Sequence, residues 1–92
     1  MNKQDFLKRT KQLLRGVVAQ RRFLLAHFKG HLESNFAKKE IANIENAVST
    51  LVDADRAKAY LERKETALRF LIPTTNKRRH DELRELLETN LN

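Results

Sequence analysis

The chain has 92 residues, so we expect a single domain, 1–92, with a modest core. It contains no Cys, which excludes disulfides and thiolate metal sites, and it has no apolar run near the roughly 20 residues that a membrane span needs. The formal net charge of +7 favours acidic partners, and the charged N-terminus lacks the apolar core of a signal peptide, so we expect a cytoplasmic protein.

Residues 3–29 are predicted to form one long amphipathic helix. Asn2 is its expected N-cap and Gly30 its expected end. The apolar side chains recur at three- and four-residue steps, as in a helix that rests one face on a core. They are Phe6, Leu7, Leu13, Leu14, Val17, Val18, Leu24, Leu25 and Phe28.

The net positive charge of the chain lies in this predicted helix. Eight basic residues stand against the single acid Asp5, which gives residues 3–29 the whole net charge of +7, and the remaining basic and acidic residues cancel. Two helical turns take about 7.2 residues, so cations at seven-residue steps share one side of the helix. Lys8, Arg15, Arg22 and Lys29 have this spacing, and Lys11 lies beside them. This basic row is either a solvated surface or a binding surface, and the lack of interleaved acids favours binding.

A second helix is predicted from about residue 36 to residue 52, after a cap at Ser34 or Asn35. The phase of the apolar pattern shifts after this segment, which predicts a break with Asp53 as the next cap. The alternative is one long bent helix over residues 36–71.

A third helix is predicted to end before Pro73, which cannot continue a helical hydrogen-bond ladder. A fourth is predicted from about residue 77 to residue 90, capped from the loop 74–76. With two Gly, one Pro and no alternating strand pattern, the chain favours an all-α fold. Short loops favour antiparallel neighbours, so we predict a small antiparallel bundle of about four helices with a long basic N-terminal helix.

Two cations interrupt the apolar stripes. Arg21 lies within the stripe of the first helix and Lys64 within that of the third. Because an unpaired buried charge is costly, we expect each to reach solvent or to pair with an acid such as Glu45 or Glu65. The alternative is a cationic pocket at one end of the bundle.

Two aromatic residues and a second group of cations lie outside the stripes. Phe23 and Phe70 each lie near a helix end, where they either tuck under a loop or contact a partner or a second copy of the chain. Arg78 and Arg79 begin the fourth helix, where the helix dipole disfavours cations. Because these cations oppose the helix dipole, we interpret them as residues that bind an anionic ligand.

The sequence predicts no enzyme, no cofactor and no metal site. It has no Gly-rich phosphate loop, and no acid and base residues at a catalytic spacing. His27 and His31 have the four-residue spacing of metal ligands, but Gly30 lies between them and should break the helical turn.

The leading interpretation is a small DNA- or RNA-binding protein. The basic row would contact phosphates, with Arg78 and Arg79 adding to it, and sequence preference would be weak because phosphate contacts carry no sequence information. The alternative is a protein-binding adaptor or inhibitor of the phage, plasmid or immunity type, which docks on an acidic partner protein through Phe23 and Phe70. Peripheral membrane binding is disfavoured because the apolar stripe is needed for the core.

Overall fold

The computed structural model describes residues 1–27 and 33–91, and every regular element in that part of the chain is an α-helix. Five helices follow one another there: α1 Lys3–His27, α2 Glu33–Thr50, α3 Ala54–Arg63, α4 Glu65–Leu71 and α5 Lys77–Glu88. The all-α prediction is confirmed. None of these described helices is both long enough and apolar enough to cross a membrane.

The long helix α1 packs against each of the other four. The side chain of Asn2 accepts a hydrogen bond from the backbone N–H of Asp5 at 2.7 Å, which satisfies one of the free donors at the helix start. The predicted N-cap is therefore confirmed, whereas the predicted end at Gly30 lies outside the described residues. The residues that α1 buries are Phe6, Thr10, Leu13, Leu14, Val17 and Val18.

The contacts between α1 and α5 run in opposite order along the two helices. From the start of α1 they are Arg9 to Glu85 at 3.0 Å, Gly16 to Arg79 at 3.1 Å and Gln20 to Asn76 at 2.8 Å. This order makes α1 and α5 antiparallel neighbours. At the far end of α5, the Lys58 ammonium on α3 donates to the backbone carbonyls of Leu86, Leu87 and Thr89, at a helix C-terminus where intrahelical donors run out.

The predicted break between the second and third helices is confirmed at Asp53. Its side chain accepts from the backbone N–H of Arg56 at 2.8 Å and caps α3. The start of α2 corrects the prediction, because the helix begins at Glu33 and includes Ser34 and Asn35 instead of being capped by them. An acid is favoured in the first turn of a helix, which suits the earlier start.

The predicted third helix is two helices in the structure. Its regular conformation stops at Lys64, whose φ of −100° and ψ of 10° end α3 and begin α4. The break turns α4 so that Leu68 and Leu71 are buried in the core. No Gly or Pro marks this position, so the sequence alone gave no signal for it. The structure therefore has five helices in its described part where about four were predicted.

The last helix agrees closely with the prediction. The side chain of Asn76 accepts from the backbone N–H of Arg79 at 3.1 Å and caps α5, which ends at Glu88. Beneath α1, side chains of every described helix meet in one core. Its largest fully buried apolar members are Phe6, Leu14, Ile44, Leu61, Leu68, Leu71, Ile72, Leu83 and Leu86.

Candidate nucleic-acid interface

One side of α1 stays exposed between α2 and α5. An ion pair from Arg22 to Glu45 joins α1 to α2 along one edge, and the hydrogen bond from Arg79 to Gly16 joins α1 to α5 along the other. We call this side the exposed α1 face. Its exposed residues are Gln4, Asp5, Lys8, Gln12, Arg15, Ala19, Arg22, Phe23 and Ala26.

Three cations of the basic row have no acidic partner. Lys8 and Arg15 are exposed and Lys11 is half-buried. Among the described side chains, no carboxylate lies within ion-pair distance of any of them. The structure thus brings these three predicted site residues together as unpaired positive charges on one stretch of α1.

The other two members of the basic row differ from this. Arg22 forms an ion pair with Glu45 on α2, in which the side chains are 54% and 43% exposed. Exposed pairs of this kind contribute about 0–1 kcal/mol, so Glu45 competes with an external anion for Arg22 without holding it firmly. Lys29 lies outside the described residues.

The cations that begin α5 have separate surroundings. Arg79 is half-buried and donates to the Gly16 carbonyl at 3.1 Å and to the Gln20 side chain at 2.7 Å, so its guanidinium joins two helices. Arg78 points into solvent with 91% of its side chain exposed, and pairs with Glu82 one turn later at 3.4 Å. Of the two predicted site residues, Arg78 is the one available to a ligand.

The two predicted partner-binding aromatics lie on opposite sides of α1. Phe70 packs edge-on against Phe36, with 5.3 Å between the ring centroids. The Arg21 guanidinium lies 5.5 Å from the centroid of the Phe70 ring. Phe23 follows Arg21 by two positions, which is a rotation of about 200° around the helix. Phe23 is 59% exposed and Phe70 is 43% exposed, and they do not form one patch.

The cations within the apolar stripes also have defined surroundings. Lys64 pairs with Glu40 of α2 at 3.6 Å, rather than with Glu45 or Glu65. The Nε atom of Arg21 is buried and has no hydrogen-bond partner among the described residues. Neither residue lies on the exposed α1 face.

A shallow cavity of about 290 Å³ lies along the edge between α1 and α2. Its apolar floor and charged rim are formed by Arg15, Val18, Ala19, Arg22, Glu45 and Val48. The small side chain of Ala19 leaves this space open. The cavity brings the guanidinium groups of Arg15 and Arg22 to the edge of one concave surface.

The Glu85 carboxylate on α5 is engaged by a cation of α1. The hydrogen bond from Arg9 lowers the pKa of the Glu85 carboxyl, which keeps that group ionised at neutral pH. His27 binds the Phe23 carbonyl, and His31, four residues later, lies outside the described residues. Within the described ranges, no group of at least three His, Asp or Glu side chains is arranged to hold a metal.

Comparisons of the chain with protein-family models, curated proteins and solved structures found no match.

Proposed function

We propose that the protein binds nucleic acid through the phosphate backbone, using the exposed α1 face. The observation that carries the proposal is the pair of unpaired cations Lys8 and Arg15 on the exposed α1 face, with the unpaired, half-buried Lys11 beside them. A solvated helix surface normally interleaves both signs of charge, and α1 has Asp5 as its single acid.

The spacing of these cations suits a phosphate backbone. From Lys8 to Arg15 the helix rises about 10 Å, at about 1.5 Å per residue. Phosphates along one strand of a duplex are spaced by about 3.4 Å of helix axis, so three cations can reach successive phosphates. Binding releases condensed counterions, which makes the affinity dependent on salt and largely independent of sequence. Gln4 and Gln12 are the amides on the face, too few for a base-reading surface.

The test is the salt dependence of binding to a labelled duplex. Three phosphate contacts predict a slope of log affinity against log salt of about −2.7, which is roughly a 40-fold loss between about 50 and 200 mM. The double variant Lys8→Gln/Arg15→Gln removes two contacts and should make the slope shallower by about 1.8. Neither side chain belongs to the core, so the helical circular dichroism should be unchanged.

The matched control is Lys39→Gln/Arg84→Gln, which removes the same charge from exposed positions on α2 and α5 outside the face. It should keep the wild-type slope. An equal loss in the control would show that only net charge matters. Absence of wild-type binding at about 50 mM salt would remove the proposal, since phosphate contacts are strongest at low salt.

A second candidate is binding to a partner protein, and it is favoured by the aromatic pair Phe36 and Phe70. These side chains are 47% and 43% exposed, and exposed aromatics are enriched where proteins bind one another. In this reading the partner is an acidic protein or a second copy of the chain. Phe70→Ser should then change association measured by sedimentation, and leave nucleic-acid affinity as in the wild type.

A further inference from the structure

The exposed α1 face carries a single large apolar side chain, Phe23. It is 59% exposed, although burial of an aromatic ring is normally favourable. Ala19 and Ala26, one turn to either side, are small and exposed, so the Phe23 ring can be approached along the helix surface.

The Phe23 ring is held in place by His27. The two rings stack with centroids 4.1 Å apart and planes inclined by 29°. The Nδ1 atom of His27 donates to the Phe23 carbonyl at 2.8 Å, which fixes the imidazole over one face of the phenyl ring. With one face covered and most of the side chain exposed, the other face of the phenyl ring is open to a flat ligand.

One exposed cation precedes this ring on α1, and another lies in the first turn of α5. Arg15 is two turns earlier on α1, about 12 Å along the axis at 1.5 Å per residue. Gln20, about one turn before Phe23, receives a hydrogen bond from Asn76 at 2.8 Å, which brings the start of α5 alongside α1. The exposed guanidinium of Arg78 belongs to that same turn of α5.

We propose that Phe23, supported by His27, is a stacking platform for an unpaired nucleobase, so that the ligand of the exposed α1 face is single-stranded nucleic acid. This inference rests on the proposed function and specifies its ligand. An aromatic face on a surface that also carries cations matches the two parts of a nucleotide, a flat base and a phosphate. Bases in a duplex are already stacked on their neighbours, so only an unpaired base can use Phe23. The cations on the exposed α1 face favour this ligand over an apolar protein surface.

The experiment compares single-stranded and duplex probes on the full chain. Phe23→Leu keeps an apolar side chain and a good helix former but removes the aromatic face. Its affinity for an oligothymidylate of about 16 nucleotides should fall by about 5- to 150-fold, the equivalent of 1–3 kcal/mol per stacked base. Affinity for a duplex of the same length should stay within about 2-fold, since duplex binding uses phosphates alone. An oligouridylate tested in parallel distinguishes DNA from RNA.

A Phe23→Trp variant gives a direct readout, because the chain contains no other Trp. Stacking of a base on the introduced indole should quench its fluorescence with the single strand and leave it unchanged with the duplex. Unchanged helical circular dichroism in both variants shows that the bundle is folded.

The outcomes separate the two proposals. Three results for Phe23→Leu would overturn the stacking platform and leave the phosphate-binding proposal in place. They are an equal loss of affinity for both probes, no loss of affinity for either probe, and altered self-association. Both proposals are supported if Lys8→Gln/Arg15→Gln weakens binding of both probes and Phe23→Leu weakens binding of the single strand alone. A wild-type chain that binds neither probe at low salt removes both.

Discussion

Gly16 of α1 and Arg79 of α5 are in direct contact. The Arg79 Nη1 atom donates to the Gly16 carbonyl at 3.1 Å, and a Cβ atom at position 16 would come within 2.8 Å of Nη2. A glycine in a helix interior costs about 1 kcal/mol relative to alanine. Position 16 therefore trades helix propensity for close access of a guanidinium to the helix backbone.

This relationship predicts that the effect of Gly16→Ala depends on Arg79. In an Arg79→Ala background, Gly16→Ala should raise the free energy of unfolding by about 1 kcal/mol, since the gain in helix propensity is unopposed. In the wild-type background the gain should be smaller or reversed, because the new Cβ displaces the guanidinium and weakens its hydrogen bonds. A double-mutant cycle by urea unfolding measures this coupling. Equal gains in both backgrounds would show that Arg79 moves aside without cost.

Helix ends that depend on local chemistry could be predicted from the sequence. Asn2, Asp53 and Asn76 accept hydrogen bonds from the backbone three residues later, and each cap uses only its own segment. The division of the third helix at Lys64 could not be predicted in this way. Lys64 pairs with Glu40, which is distant in sequence and lies on another helix.

In the candidate interface, too, features set by helical periodicity could be predicted from the sequence, and features set by packing between helices could not. The side of α1 that carries the basic row follows from helical periodicity, and Lys8 and Arg15 are exposed as expected. The pairing of Arg22 with Glu45 depends on the packing of α2, and the sequence offered Glu45 as a partner for Arg21 instead. The contact of Phe70 with Phe36 likewise joins two helices whose relative position the sequence does not determine.

The single tyrosine predicts a dependence of stability on alkaline pH. Tyr60 is 5% exposed, and its hydroxyl has no hydrogen-bond partner among the described residues. Burial, followed by the nearby charge of Glu40, raises the Tyr60 pKa above its ordinary value near 10.0. The folded state therefore holds this proton more tightly than the unfolded state. The resulting stability is complete below the unfolded pKa and is lost as pH rises towards the folded pKa.

Tyr60→Phe should remove this dependence. At pH 7 the variant should be as stable as the wild type or up to about 1 kcal/mol more stable, since no hydrogen bond to the hydroxyl is lost. Above about pH 10, ionisation of the Tyr60 hydroxyl stabilises the unfolded wild type, and the variant has no such group. The difference in free energy of unfolding in favour of the variant should therefore grow with pH. The measurement is urea unfolding at several pH values. A constant difference across the range would mean that Tyr60 ionises as readily in the folded protein.

The pairing of Arg22 with Glu45 predicts a variant with stronger nucleic-acid binding. Glu45→Gln removes the competing carboxylate and frees Arg22 to join Lys8, Lys11 and Arg15. One further phosphate contact should make the salt slope on a duplex steeper by about 0.9. The advantage over the wild type should then be largest at low salt, and should shrink by about 3- to 4-fold between about 50 and 200 mM. Loss of the exposed pair should cost at most about 1 kcal/mol of folding stability.

The control for this gain is Glu62→Gln, which removes the same negative charge from an exposed position on α3. If Arg22 acts locally, Glu62→Gln should leave the slope near the wild-type value, and the double variant Glu45→Gln/Arg22→Gln should lose the gain. Equal strengthening by Glu45→Gln and Glu62→Gln would instead indicate a general effect of net charge. A slope that Glu45→Gln does not alter would place Arg22 outside the binding surface and leave Lys8, Lys11 and Arg15 as its cations.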